Sequence, residues 1–304
     1  MARDYGYIIS PSLNRYTFEA GKSVKGTFTL TNSFVTGEPE AQTFVLSIKF
    51  VFQENGNKYI YDRTPNGRQM YDMTSWITLS KQEVTLKQNQ SIEIPYTINV
   101  PSDPKPGGKY AAIVIEKKNG LQQLASSGAA LDDKVAYQIL GKVAGEELRD
   151  SEVVSYTVNK PIFWMWPNEE ATFTLQFKNK GNVEFLPSGD IFVHRGEITN
   201  SFWNTNFNQD QLVILPENER AYSVTWTPQK GLIKTDKTGI TINLDYFRIG
   251  KYIATAKVGY DQNNNRVVAD RVVSFWIIPI PLITVLALVG VITVLFLRFG
   301  RKKR

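Results

Sequence analysis

The chain holds one histidine, His194, and no cysteine in its 304 residues. That inventory removes cysteine nucleophiles, thiolate metal sites and disulfides. His194 lies in the strand-like stretch IFVHRGEI, with no second histidine and no Ser-centred elbow motif to build a triad or a zinc site around it. Carboxylates occur as adjacent pairs at Asp132 and Asp133, Glu146 and Glu147, and Glu169 and Glu170. Sequence neighbours on a strand point to opposite faces, so these doublets do not converge on one bond as glycosidase carboxylates must. They read as solvated loop charges, and only carboxylates distant in sequence stay open as a pair. Asp261, Asn263 and Asn265 have the one-three-five spacing of a calcium loop. The sixth position is Arg266 rather than glycine and the twelfth is Val272 rather than glutamate, so a hairpin tip accounts for the run. The expectation is a non-enzyme with no metal, cofactor or small-molecule substrate.

Two loops carry chemistry suited to binding. QENGNKYIYDRTPNGRQMYDMTSW gathers Tyr59, Tyr61, Tyr71, Arg63 and Arg68 between Asn-Gly pairs, and RGEITNSFWNTNFNQDQ sets Phe202, Trp203 and Phe207 among amides. Aromatic faces stack on sugar rings or peptide backbone, while guanidiniums and amides give directional hydrogen bonds. The alternative is that the rings fold back on the sheet edge that carries them. Asn-rich sequence continues a strand poorly, so some of these rings, Trp203 above all, are expected to stay partly exposed.

The elements that would position these loops show period two. In SIEIPYTINV, Ile92, Ile94, Tyr96, Ile98 and Val100 share one face, and Ser91, Glu93, Pro95, Thr97 and Asn99 the other. SVKGTFTLTN and FVLSIKFVF alternate in the same way. These are half-buried antiparallel strands, with Pro95 pointing to a sheet edge. The only plausible short helix before the C-terminal run is NGLQQLASSGAALDD. TFTLTN at Thr27 returns as TFTLQFKN at Thr172, and the Gly-Lys-Tyr at Gly108 returns at Gly250. The repeat predicts an all-β chain of two tandem immunoglobulin-like β-sandwich domains, 1–145 and 146–274, with a polar boundary at KVAGEELRDSE. Ile162, Phe163, Trp164, Met165 and Trp166 are too continuously apolar for a one-sided strand, which leaves interdomain packing or an exposed patch.

Phe275 to Leu297 is an almost unbroken apolar run that, as a helix, would reach roughly 34 Å. It predicts a single transmembrane helix over 275–297 with Trp276 at the interface and Pro279 and Pro281 in its first turns. Arg298, Arg301, Lys302, Lys303 and Arg304 follow as a basic tail, 298–304, that accounts for most of the net charge of +6. The rest of the chain is close to neutral, which argues against a nucleic-acid partner. By the positive-inside rule the tail is cytoplasmic and the bulk extracellular, at a cell membrane. That topology needs an export signal, none is visible after Met1, and it is expected to have been lost from this sequence.

VPSDPKPGGKYAAIVI, residues 100–115, resembles the first domain of the WxL-interacting proteins of Gram-positive cell surfaces. The resemblance implies peptidoglycan and surface-protein binding by a first β-domain, a second β-domain for host or matrix ligands, and adhesion at the cell wall. The residues themselves point to folding: Gly107 and Gly108 permit positive φ in the turn that re-enters the sheet, and Tyr110 and Tyr252 anchor corresponding strands in the manner of a tyrosine corner. The expected function is a membrane-anchored surface protein that binds cell-wall polymer or a partner surface protein. The alternative is a structural subunit or chaperone-like assembly factor of a surface appendage, acting by β-strand addition at the Pro95 edge.

Overall fold

The computed structural model describes residues 6–33, 40–54, 58–62, 67–118, 134–164, 170–227, 233–236, 239–242, 249–278 and 280–300. The helix expected at NGLQQLASSGAALDD lies outside the described residues. The chain forms two units. Unit 1 comprises Met1–Asp150 with Asn179–Phe185 and Ile214–Asn218, and unit 2 the remainder.

Unit 1 is built from β1 (Tyr7–Ser10), β2 (Leu13–Phe18), β3 (Ser23–Asn32), β4 (Ala41–Glu54), β5 (Lys58–Asp62), β6 (Ile77–Leu79), β7 (Glu83–Lys87), β8 (Ser91–Asn99), β9 (Gly107–Lys117) and β10 (Lys134–Val143). One sheet runs β1-β3-β8-β6; the other runs β2-β10-β9-β4, with β5 and β7 on different stretches of β4. Alternation decides which residues meet between them. Ile94, Tyr96 and Ile98 of β8 are buried while Ser91, Glu93 and Pro95 are exposed, and Phe28, Leu30, Phe44, Ile113, Tyr137 and Ile139 complete the same core. Each such fully buried side chain contributes about 1.5–3 kcal/mol.

Unit 2 holds β11 (Ser151–Val158), β12 (Ile162–Trp164), β13 (Ala171–Asn179), β14 (Ser188–His194), β15 (Trp203–Asn206), β16 (Glu219–Trp226), β17 (Ile233–Asp236), β18 (Gly239–Ile242), β19 (Gly250–Gln262), β20 (Asn265–Ile278) and α1 (Ile280–Gly300). Its sheets run β11-β13-β16 and β12-β20-β19-β14-β15, with β17-β18 as a separate pair. The layout echoes unit 1. In each, the first strand lies beside the third (β1 with β3; β11 with β13), and the second pairs parallel with the last strand of a long hairpin (β2 with β10; β12 with β20).

The C-terminal run departs from its sequence reading. Phe275 to Ile278 finish β20 rather than open a helix: Phe275 and Ile277 are buried in the sandwich, and Trp276 sits opposite Lys251 and Ile162. Alternation thus persists inside what reads as a uniformly apolar stretch, with β20 ending at Ile278 and α1 beginning at Ile280. Among the described residues no helix is long and apolar enough to cross a membrane. The transmembrane helix over 275–297, the interfacial role of Trp276, the membrane anchoring and the outside-to-inside topology are corrected accordingly. Arg298 lies in the last turn of α1, and Arg301, Lys302, Lys303 and Arg304 lie outside the described residues.

Candidate binding surfaces

The outer face of the larger sheet of unit 1 collects the first predicted loop cluster. On β9, Ala111, Ile113 and Ile115 point into the core, which turns Tyr110, Ala112 and Val114 outward. That outer face is nonetheless buried, because Asn179–Phe185 and Ile214–Asn218 are part of the same unit. The Leu215 amide donates to Gln53 Oε1 at 2.9 Å, and the Gly108 amide donates to the Asn182 carbonyl at 2.8 Å. Tyr71 is buried; its hydroxyl donates to Glu217 Oε1 at 3.1 Å, and burial, then the Glu217 charge, push its pKa up to about 12. Arg68 Nη1 donates to Asn218 Oδ1 at 3.1 Å, and its guanidinium lies 5.7 Å from the centre of the Phe52 ring. The hydroxyl of Tyr61 accepts from Gln138 Nε2 at 2.8 Å, and burial raises its pKa. Tyr59 sits opposite Gln53 on β5, and Arg63 lies outside the described residues. Tyr71, Arg68 and Tyr61 therefore use their polar atoms inside unit 1.

Gly107 has φ +102 and begins β9. A Cβ at Gly108 would collide with the ring of Tyr110, so the glycine makes room for that ring. The Tyr110 hydroxyl donates to the carboxylate of Glu184, at Oε2, over 3.3 Å. Tyr252 is buried and stacks on Phe275 with ring centres 6.2 Å apart. Glu184, Glu217, Asn218 and Asn182 were not visible as site residues in the sequence, because they come from loops far along the chain. The only local signal is the strained backbone at Glu217, with φ +62.

The second predicted cluster lies in unit 2. Phe207 is buried and stacks on Phe177 with centres 5.6 Å apart, so it presents no face to a partner. Phe202 packs edge-on against Trp226 and Tyr252, each at 5.4 Å. Trp203 is half-buried and tilts over Phe173 at 5.9 Å. Beside them a depression of 370 Å³ is lined by Leu186, Pro187, Ser188, Asn206, Asn208, Gln209 and Gln211. The Asn208 amide is committed to the carbonyls of Pro187 and Leu212.

The remaining polar groups of interest are internal. His194 is buried, with Nδ1 2.8 Å from the Gly196 carbonyl and Nε2 2.9 Å from Thr255 Oγ1. Lys109 is 2% exposed and opposite Gly141 in the ladder, and its ammonium donates to the Gly108 carbonyl at 3.3 Å. Burial, and secondarily the charge of Lys105, lower its pKa to about 8. Asn263 and Asn264, with φ 47 and 63, form the hairpin turn that the calcium-like spacing had marked.

Among the described residues of unit 1, two inner strands, β8 and β10, are each left unpaired over part of one side. β6 ladders only Tyr96–Ile98 of β8, and the Ser80 amide donates to the Pro95 carbonyl, so the edge expected at Pro95 is partly covered and continues over Ser91–Ile94. β2 ladders β10 from Gln138 onward, and no described strand pairs with Lys134–Tyr137 on that side. The Gln138 amide donates outward to the Ser12 carbonyl, so by alternation Lys134 and Ala136 aim their N–H and C=O groups the same way.

No family model matches the chain, and no curated protein matches it. Solved structures similar to it include the class 5 fimbriae chaperone CfaA, at 13% identity, TM-score 0.36, covering 87% of this chain and 98% of that one. The chain is also similar to the Pseudomonas aeruginosa chaperone CupB2, at 9% identity and TM-score 0.36, covering 87% of this chain and 99% of the other. A third is a chain from a chaperone–tip adhesin complex of CFA/I fimbriae biogenesis, at 14% identity and TM-score 0.35, covering 90% of this chain and 99% of the other. Likenesses this distant carry no argument about activity. The resemblance to WxL-interacting proteins is corrected: no family model supports it, and the similar structures include the fimbriae chaperone CfaA and the chaperone CupB2 instead. Within the segment that suggested it, residues 100–115, Gly107 to Tyr110 are accounted for by the start of β9 and the seating of the Tyr110 ring. The peptidoglycan and cell-wall expectation falls with it.

Proposed function

We propose that this chain is a binding protein that engages an extended segment of a partner surface protein by strand addition, in the manner of an assembly chaperone. The observation that carries the reading is the open half of β10, Lys134–Tyr137, where two residues aim their backbone groups away from β9. Main-chain hydrogen bonds to such an edge supply affinity for almost any extended peptide. The other edge is blunted by Glu93 and by Pro95, which lacks an N–H, whereas Lys134 is neutralised by Glu116 at 3.2 Å. One of the similar structures is described in complex with a tip adhesin, which is the class of partner proposed, but the reading stands on the edge itself.

The test is titration of the chain with a synthetic decapeptide of alternating valine and threonine, followed by amide shifts in the NMR spectrum. Shifts centred on Lys134 and Ala136 are expected, insensitive to salt, and lost for Ala136→Pro, which removes an outward N–H without touching the β9 ladder. Binding that is unchanged in Ala136→Pro, or absent altogether, overturns the proposal.

A further inference from the structure

The longest open edge among the described strands belongs to unit 2. β19 ladders β20 from Asn265 to Ile277, whereas on the other side β12 reaches only Trp276–Ile278. From Asn265 to Phe275 no described strand takes the second side. The two-residue turn at Asn263–Asn264 makes Gln262 and Asn265 a doubly hydrogen-bonded pair, so odd-numbered residues of β20 turn their N–H and C=O toward β19. Even-numbered residues turn theirs outward, and the Trp276 amide, which donates to the Pro161 carbonyl at 2.9 Å on the β12 side, fixes that phase. Arg266, Val268, Asp270, Val272 and Ser274 therefore line an available edge. Val268 and Val272 are 74% and 59% exposed there. The edge lacks the proline and the bulge that blunt natural edges. Its cover is the Arg271 guanidinium, which donates to the Asp270 carbonyl at 3.2 Å.

The sequence of this edge is complementary to itself. Two copies paired antiparallel about an axis perpendicular to the sheet keep their exposed faces on the same side. With Val268 on the axis, Val268 meets Val268, and Arg266 of each copy meets Asp270 of the other. All of these are even-numbered positions whose backbone groups point at one another. An axis through Asp270 sets that carboxylate against itself, and an axis through Arg271 does the same for the guanidinium. An axis through Ala269 sets Asp270 against Val268 and Arg266 against Val272. Only the Val268 register opposes unlike charges twice. Arg266 is held in place for this by Asp261 at 3.3 Å and Ser188 Oγ at 2.6 Å, and its side chain remains 43% exposed. We infer that the chain forms a two-fold dimer through antiparallel pairing of its β20 edges about Val268.

The absence of cysteine makes the register directly readable on the full chain. In the proposed dimer the two Val268 Cα atoms lie about 5.5 Å apart, within disulfide reach. The two Val272 Cα atoms lie about 27 Å apart along the strands. Under mild oxidation Val268→Cys is expected to give a linked dimer and Val272→Cys essentially none. Asp270→Arg places like charges opposite at two positions and should weaken the dimer roughly tenfold in sedimentation. Both valines are exposed, so the cysteine variants keep the fold. Equal linkage at the two positions, preferential linkage at Val272→Cys, monomers throughout, or a dimer indifferent to Asp270→Arg overturns the inference.

Discussion

The hydroxyls of Tyr96 and Tyr137 lie 2.7 Å apart inside unit 1, and the Tyr16 hydroxyl completes the row 2.6 Å from that of Tyr96. Three strands, β2, β8 and β10, are thereby tied through side chains as well as through packing. Gly26 belongs to the same arrangement, since a Cβ there would collide with the Tyr96 ring.

Tyr96→Phe removes the central member and leaves two partly or fully buried hydroxyls short of a partner. The expected loss is about 1–3 kcal/mol, read as a lower denaturation midpoint with an unchanged m-value. Burial pushes the Tyr137 pKa up to about 12, and burial together with its tyrosine partners raises that of Tyr96. A tyrosine that holds its proton beyond the unfolded pKa stabilises the fold fully below about pH 10, and that contribution is lost as pH climbs toward 12. Thermal unfolding should fall steeply over that window, and less steeply in Tyr96→Phe.

Lys109 works in the opposite sense. Its ammonium is held down to about 8 by burial, so between about pH 8 and pH 10 the folded chain binds fewer protons than the unfolded chain and this group makes stability rise with pH. Lys109→Met should be more stable than the parent at pH 7, with the gap narrowing by pH 10. A parent that exceeds Lys109→Met at pH 7 would show that the ammonium is compensated by a group that burial alone does not reveal.

The aromatic loop of unit 2 separates into core and surface. Phe207→Ala should cost about 3–5 kcal/mol, as for any fully packed ring. Trp203→Ala, at a half-buried site, should cost clearly less, and thermal melts of the two variants side by side decide the point. The proposal that Trp203 contacts a ligand survives only if its stability loss is the smaller one.

Most of the strands were legible because burial alternates: Ile94, Tyr96 and Ile98 against Glu93 and Pro95 is visible in the letters alone. The same rule misleads where both faces are apolar. Phe275, Trp276 and Ile277 read as the start of a membrane helix, yet two of them fill a core and the middle one stands half-exposed on the sheet. The covering of Tyr71 and Tyr110 was illegible for a different reason: Glu217 and Glu184 are 146 and 74 residues away in sequence. No local pattern encodes a partner at that distance.

Unit 1 takes Asn179–Phe185 and Ile214–Asn218 from beyond its own last strand, and those segments supply partners for Gln53, Arg68, Tyr71, Gly108 and Tyr110. During synthesis the first sandwich can therefore close its core early, but its outer face stays bare until Asn218 has left the ribosome. Through that interval tyrosine hydroxyls and strand backbone that are sheltered in the finished chain meet solvent, so translation pauses between residues 150 and 218 should raise the share of the nascent protein lost to proteases.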